Sequence, residues 1–192
     1  TDFRMAIASY LHGSRGVNCS LDQIVVGAGV DFLLLLLTRI LDKNKSIAME
    51  NPAYQRARHI FSSNEFAIHD IPVNDTGMDL DALSTSDSSY CYVTPSHQFP
   101  LGSIMPVSNR QKLLSWATKE PGRYIIEDDH DSEFRYKGKP IPSLQGMDTQ
   151  GKVIYIGTLS KAIAPSIRVG YMVLPPDLLT DYQKHCSYFA CT

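Results

Sequence analysis

The alternation of short apolar strand-type runs with helical patterns limits the possible folds of this chain more than any other feature of its sequence. The strand-type runs are rich in β-branched and aromatic residues, whereas the helical patterns repeat apolar residues every three or four positions. Such alternation favours βαβ units, in which strands pair in parallel and the connecting helices cover the sheet. The sequence therefore predicts an α/β fold, with a mostly parallel sheet and helices on both faces. Strands are predicted at 21–26, 46–50, 65–73, 89–94, 123–130, 153–156 and 169–173, and helices at 2–14, 30–41, 57–61, 79–83 and 108–119, the last with Ser108 as its N-cap.

The composition is that of an ordinary globular domain. The chain has 192 residues, enough for one packed domain, and its 18 basic residues are balanced by 20 acidic ones. This balance excludes nucleic-acid binding through bulk charge, so contact with DNA would need another segment. The four cysteines show no metal-ligand spacing, so no metal site is predicted and we expect reduced thiols in the cytoplasm. The most apolar run, at 32–37, is too short to span a membrane.

Both ends of the sequence lack the usual boundary signals. Residues 2–14 already form an amphipathic pattern, and the chain stops within an apolar-rich segment at Cys191 and Thr192. Neither end carries a helix cap or a polar tail. We therefore expect residues 1–192 to be a fragment of a longer protein.

A lysine follows the predicted strand at 153–156. Lys161 at the end of a buried strand would be partly desolvated, which lowers an amine's pKa and frees its nucleophilic neutral form. Thr158, Ser160 and Arg168 could hold an anion close to it, because a guanidinium offers a planar fork that suits phosphate. A reactive lysine beside a phosphate site suggests pyridoxal 5′-phosphate (PLP). A solvated loop lysine is the alternative that this stretch alone leaves open.

Polar and aromatic residues follow several of the other predicted strands. Ala28 and Gly29 precede a helix, whose free N–H groups and dipole favour an anion, although glycine there can also serve the turn alone. After the strand at 46–50, Tyr54 could stack on a planar ring and Arg56 could pair with a carboxylate, or both could be ordinary packed and solvated side chains. Asp128 ends a buried-type strand, where its carboxylate could keep a pyridine nitrogen protonated.

With these residues identified, the chain resembles the large domain of fold-type I PLP-dependent aminotransferases. It is most similar to the aminotransferase-like domain of MocR/GabR-type bacterial regulators, in which a GntR-family winged-helix DNA-binding domain precedes it. The resemblance covers essentially the whole chain, through five motifs in the family's order at 23–29, 50–56, 94–100, 127–134 and 157–161. It implies a PLP-binding large domain without the N-terminal DNA-binding domain and the C-terminal small domain.

The resemblance also implies a role for each matching residue. Lys161 would form the internal aldimine, Asp128 would pair with the pyridine nitrogen, and His130 would contact the phenolic oxygen. The phosphate would be held by Thr158, Ser160, Arg168 and the backbone at Ala28 and Gly29. Tyr54 would stack over the ring, and Arg56 would face the carboxylate of an incoming amino acid.

Two positions depart from the pattern of ordinary aminotransferases. Phe99 stands where those enzymes carry an asparagine that contacts the phenolic oxygen, in the His-Gln-Phe-Pro form typical of the regulators. His130 stands where tyrosine is common; imidazole can still donate a hydrogen bond, but its charge depends on pH near neutrality. The first departure favours a regulator over an enzyme, and the second leaves the pKa of the aldimine open.

Three functions remain open from the sequence. The first is an effector-sensing domain of a transcriptional regulator, and its effector would be an amino compound or PLP. In this case the full-length protein would be a homodimer and would contact DNA only through the absent N-terminal domain. The second is a catalytic PLP-dependent aminotransferase, in which Lys161 moves a proton as general acid and base. The third is an α/β domain with an empty site, which the presence of both Lys161 and Asp128 disfavours.

Overall fold

The computed structural model describes residues 2–130, 142–159 and 168–189. Within these ranges the predicted alternation of strands and helices is confirmed, with boundaries shifted by a few residues. The strands are β1 (Ile24–Gly27), β2 (Ser46–Asn51), β3 (Ile68–Asn74), β4 (Gly77–Met78), β5 (Ser88–Val93), β6 (Tyr124–Asp128), β7 (Val153–Thr158) and β8 (Gly170–Val173). The helices are α1 (Asp2–Arg15), α2 (Val30–Ile40), α3 (Gln55–Ser63), α4 (Leu80–Thr85), α5 (Val107–Thr118) and α6 (Pro176–His185), with short 3-10 turns at Leu21–Gln23 and Gln145–Met147.

The described strands form one mixed sheet in the order β1-β8-β7-β6-β5-β2-β3-β4. The central pairs β7–β6, β6–β5, β5–β2 and β2–β3 are parallel. β8 runs antiparallel to both of its neighbours, β7 and β1. It follows that β1, β2, β5, β6 and β7 all point the same way, so their carboxyl ends lie along one edge of the sheet.

Helices cover both faces of the sheet, as predicted. On one face, α2, α3 and α6 bury side chains against Met49, Tyr92, Ile126 and Ile156. On the opposite face, α4 and α5 pack on the middle of the sheet and α1 packs beside Tyr155 and Tyr171. Because side chains alternate along a strand, consecutive residues within β6, and likewise within β7, face opposite layers of helices.

Helix α5 differs from the prediction at its start. It begins at Val107 rather than after Ser108, and its cap position is Pro106, whose φ of −67° and ψ of 157° are extended. Ser108 is therefore inside the first turn and is not the N-cap. The inner face carries Leu113 and Ala117 as expected, but also the fully buried Arg110. Its guanidinium donates to the carbonyls of Met105, Pro95 and Pro142, at 3.0, 2.8 and 2.8 Å, which satisfies a charge that a core position does not normally tolerate.

Helix α2 contains the most apolar run of the sequence, and its length is 11 residues. In the described parts of the chain, no helix combines the length and the apolar character needed to cross a membrane.

Candidate functional site

The carboxyl edge of the sheet brings together most of the residues singled out in the sequence. Gly29 lies between β1 and α2, Tyr54 precedes α3, Asp128 ends β6 and Thr158 ends β7. Arg168 comes two residues before β8, which starts at this same edge because it runs antiparallel to β7. Such an edge is where open α/β sheets bind ligands.

Asp128 and Thr158 share one face of the sheet. Asp128 is in register with Ile156, and Thr158 lies two residues further along the same strand. Since Ile156 packs in the layer covered by α2 and α3, both polar side chains lie on the side of those helices. Thr158 Oγ1 donates to the carbonyl of Val169 at 3.2 Å, which ties the end of β7 to the segment that carries Arg168.

The Asp128 carboxylate is 4% exposed and accepts a hydrogen bond from the Tyr92 hydroxyl on the neighbouring strand. Burial, and after it the negative charge of Asp128, raises the pKa of Tyr92 well above its ordinary value. The phenol therefore remains protonated and available as a donor. The Tyr92 donor fixes the position of the carboxylate, where a cationic ring nitrogen could pair with it.

The turn between β1 and α2 closes against the start of β8. Gly29 is the N-cap of α2 with φ of +91°, a conformation that favours glycine. A Cβ atom at Gly170 would lie 2.9 Å from the backbone carbon of Gly29, so only glycine permits this close approach. Arg168, with φ of +43°, has Nη2 3.5 Å from the position that a Cβ atom at Gly29 would take.

The backbone at Ala28, Gly29 and Gly170 forms a concave surface, called the glycine cradle below, and the Arg168 guanidinium lies at its edge. Ala28 is exposed, and the amide of Gly29 donates to the carbonyl of Gly27 at 2.8 Å. The start of α2, the Arg168 guanidinium and the Thr158 hydroxyl thus lie together, and they suit an anion such as phosphate once the Thr158 hydroxyl turns away from the carbonyl of Val169.

Asp31, in the first turn of α2, was missed by the sequence analysis. Its Oδ2 lies 3.2 Å from Arg56 Nη1 and 3.7 Å from Arg168 Nη2, and its charge also acts on the Tyr54 hydroxyl, whose pKa it helps to raise. An acidic residue in the first turn of a helix has an ordinary explanation in the helix dipole, so its position along the chain carries no further signal. The structure shows instead that three predicted site residues meet one carboxylate.

Three aromatic side chains, those of Tyr54, Phe99 and His130, lie together at one side of the site. The ring of Phe99 lies 5.9 Å from that of Tyr54 and 6.0 Å from that of His130, both in edge-to-face geometry. Burial, with a smaller contribution from the charge of Asp31, raises the pKa of Tyr54. Phe99 therefore places an apolar ring, which has no hydrogen-bonding group, between Tyr54 and His130.

Glu50 anchors the loop that carries Phe99. Its Oε2 accepts from the amide and hydroxyl of Thr94 at 3.1 and 2.9 Å and lies 3.5 Å from Gln98 Nε2. Glu50 is 1% exposed, and burial raises its pKa to about 7, although the hydrogen bonds from Thr94 and Gln98 lower it in part. The charge of Asp128 adds to the rise.

We expect Glu50→Gln to flatten the pH dependence of stability between about pH 5 and pH 7. Because the folded chain holds the pKa of Glu50 near 7, above the ordinary value of 4.5, the folded state binds more protons than the unfolded state in this range. Stability therefore falls as pH rises through it. Glutamine cannot ionise, so the substitution removes a slope of up to about 1.4 kcal/mol per pH unit. Urea unfolding at several pH values measures this.

Glu127 provides a contrast for that experiment. Burial raises its pKa to about 7 as well, but its two carboxylate oxygens accept from the amides of Leu144 and Gln145 at 2.7 and 2.8 Å. Glutamine there would set an NH₂ group against a backbone N–H. We expect Glu127→Gln to lose about 1–3 kcal/mol of stability even at low pH.

If the slope of stability against pH in Glu50→Gln equalled that of the wild type, Glu50 would not be the group that titrates in this range.

Two predicted site residues, Lys161 and Ser160, lie outside the described residues. The structure places Asp128, Thr158, Arg168, Tyr54, Arg56, Ala28, Gly29 and His130 along the same edge of the sheet. The roles of all ten in binding a ligand remain predictions.

A separate cavity of about 700 Å³ lies near the start of β7, away from this edge. Several polar groups of its lining are already hydrogen-bonded within the protein. The Asn18 amide donates to Gln145 Oε1 at 2.8 Å, and Asp148 Oδ2 accepts from the amide of Val153 at 2.8 Å. It therefore presents a weaker case for a functional site than the carboxyl edge.

Comparison with known proteins agrees with this geometry. The family model described as aminotransferase class I and II matches residues 1–190. The chain is 48% identical over 191 residues to the uncharacterized HTH-type transcriptional regulator YdeL of Bacillus subtilis, covering 100% of this chain and 41% of the regulator. It is 38% identical over 185 residues to the probable rhizopine catabolism regulatory protein MocR of Rhizobium meliloti, covering 96% of this chain and 37% of the regulator.

A solved structure shares the fold. LysN, an α-aminoadipate aminotransferase from Thermus thermophilus complexed with N-(5′-phosphopyridoxyl)-L-leucine, superposes with a TM-score of 0.82 at 26% identity. The match covers 94% of this chain and 47% of the enzyme. The chain thus spans about two fifths of the regulators and half of the enzyme.

Proposed function

Because the chain belongs to the aminotransferase class I and II family, we propose that it binds PLP and serves as the effector-sensing domain of a bacterial transcriptional regulator. The observation that carries the proposal is the convergence of Asp128, Thr158 and Arg168 beside the glycine cradle at the start of α2. Similarity to regulators over nearly the whole chain supports the sensing role.

The residues at this edge suit the chemical parts of PLP. Asp128 would hold the pyridine nitrogen, Lys161 would bond the aldehyde carbon, and Tyr54 would cover the ring. Thr158, Ser160, Arg168 and the backbone at Ala28 and Gly29 would hold the phosphate, and His130 would contact the phenolic oxygen. When bound, PLP supplies an electron sink for chemistry at the carbon of an amino compound. Arg56 would orient the carboxylate of that compound.

Phe99 favours sensing over turnover. Its apolar ring touches Tyr54 and His130 at edge-to-face distances and offers no hydrogen bond at the place where aminotransferases carry an asparagine. The imidazole of His130 would then be the donor closest to the phenolic oxygen. Such a site can retain PLP and exchange an amino compound without being tuned for rapid proton transfer.

In the full-length gene product, the sensing domain would follow a winged-helix DNA-binding domain and precede a small C-terminal domain. DNA would be contacted by the winged helix alone, since this chain has a formal net charge of −2. We further propose a cytoplasmic homodimer. The effector, an amino compound or PLP itself, would bias a conformational equilibrium that alters DNA binding.

Catalytic transamination is the second candidate. It is favoured by the buried Asp128 with its Tyr92 donor, which would serve an enzyme equally well. In that case Lys161 would also move a proton between the amino acid's α-carbon and the cofactor.

Lys161→Ala tests the proposal in the full-length gene product. We expect wild-type protein mixed with PLP to gain absorption in the visible and, after borohydride reduction, to retain the cofactor's mass on denaturation. The variant should lose both signals, because it has no amine to bond. DNA-binding affinity measured with and without PLP should differ for the wild type and not for Lys161→Ala. Steady conversion of an amino donor and a keto acid, with DNA binding unaffected, would support the enzyme instead.

A further inference from the structure

The Asp31 carboxylate lies among the cationic groups of the proposed phosphate site. Its Oδ2 is 3.2 Å from Arg56 Nη1 and 3.7 Å from Arg168 Nη2. The carboxylate is partly buried, with 28% of the side chain exposed, whereas the two arginine side chains are 67% and 60% exposed. Two flexible cations from different elements therefore converge on one fixed anion at the start of α2.

The Asp31 carboxylate is therefore already ion-paired, at 3.7 Å, with the guanidinium that a phosphate would need. A phosphate bound by Arg168 must share that guanidinium with the Asp31 carboxylate, and it must accept a like charge nearby. Competition for the positive charge of Arg168 and repulsion between the two negative charges both disfavour phosphate binding. The carboxylate does not contribute a donor in return, because an ionised carboxyl group only accepts hydrogen bonds.

On the basis of the proposed function, we propose that Asp31 is an affinity-setting residue that weakens the binding of the cofactor's phosphate. A sensor of PLP must lose its ligand when the concentration falls, so a site with every phosphate contact satisfied and no opposing charge would stay occupied. Asp31 keeps the occupancy reversible. It acts on the phosphate end of the ligand, which is distinct from the pyridine end held by Asp128.

Asp31→Asn tests this in the full-length gene product. Asparagine keeps the shape of the side chain and removes its charge, so we expect the dissociation constant for PLP to fall about tenfold, equal to about 1.4 kcal/mol. Pyridoxal carries the same ring and aldehyde without the phosphate, and we expect its dissociation constant to change less than about twofold. Titration followed by absorption or calorimetry gives both values, and added salt should reduce the difference for PLP.

Asp177→Asn is the matched control. Asp177 also lies in the first turn of a helix, α6, so the same substitution removes a first-turn carboxylate away from the carboxyl edge. Both variants share any loss from the helix dipole. Only Asp31→Asn should change the affinity for PLP.

A double-mutant cycle links the effect to the guanidinium. If Asp31 acts by competing for Arg168, the gain from Asp31→Asn should shrink in an Arg168→Gln background. A persistent tenfold gain there would overturn the mechanism. Weaker or unchanged PLP binding in Asp31→Asn, or equal gains for PLP and pyridoxal, would overturn the proposal.

Failure of the proposed function would look different. Wild-type protein that binds neither PLP nor pyridoxal would contradict PLP sensing. Binding of inorganic phosphate then tests the role of Asp31 separately. If the carboxylate opposes an anion at this site, the affinity for phosphate must still rise in Asp31→Asn.

Discussion

Arg15→Ala is expected to lower the free energy of unfolding by about 3–5 kcal/mol, because it leaves a buried carboxylate without its cation. Arg15, the last residue of α1, donates from Nε to Asp129 Oδ2 at 2.7 Å and from Nη2 to Asp129 Oδ1 at 3.3 Å. The side chains of the pair are 8% and 0% exposed. Nη2 also donates to Ser96 Oγ at 2.8 Å, and the Tyr155 hydroxyl donates to Asp129 Oδ2 at 2.6 Å. Urea unfolding measures the loss.

The surface pair of Lys43 and Glu65 is the control for that measurement. Its side chains are 61% and 74% exposed, so solvent screens the charges. We expect Lys43→Ala to leave the unfolding curve unchanged within error. An equally small effect of Arg15→Ala would show that the buried pair is replaceable and that α1 is held by its apolar face alone.

Asp128→Asn is expected to weaken PLP binding by about 30-fold or more, since removing a buried charge partner typically costs 2 kcal/mol or more. The folded chain should tolerate the change, because the Tyr92 hydroxyl that now donates to the carboxylate can donate equally to an amide oxygen. We therefore expect lower affinity for PLP with little loss of stability. Titration with PLP, together with urea unfolding of the unliganded chain, separates the two quantities.

Asp129→Asn is the matched comparison, one residue further along and on the opposite side of the sheet. It breaks the ion pair with Arg15, so it should reduce stability sharply. Substitution of the two neighbouring aspartates should thus have different effects. Asp128→Asn should lower the affinity for PLP, and Asp129→Asn should lower the stability of the fold. If Asp128→Asn bound PLP as tightly as the wild type, Asp128 would not be the partner of the pyridine nitrogen.

The sequence predicted the parts of the fold that depend on local pattern. The spacing of apolar residues located α2 and the strands around 89–94 and 153–156. An element that buries one face or both faces carries apolar residues at regular intervals in the sequence. The alternation of those elements predicted the mostly parallel sheet, whereas the antiparallel course of β8 was not predicted. The position of Asp128 at a strand's carboxyl end was likewise visible, since the apolar run stops at an acid.

Features that depend on partners distant in sequence were not predictable. Arg110 lies within an apparently ordinary amphipathic helix, and its burial depends on the carbonyls of Pro95 and Pro142, which only the tertiary fold brings to it. Asp31 meets Arg56, 25 positions away, through the packing of α3 beside α2, and it meets Arg168, 137 positions away, only after β8 has taken its place next to β1. Propensity carries no information about such encounters.

The place of β8 between β7 and β1 has a consequence for how the protein is made. Within the described sheet β1 pairs only with β8, so its strand partner is synthesised some 140 residues after it. Until residues 170–173 leave the ribosome, the first strand has no hydrogen-bonding neighbour, although the central strands can already associate. The loop before α2 is therefore fixed in place late, and a nascent chain gains the turn proposed to bind phosphate only when synthesis has passed β8.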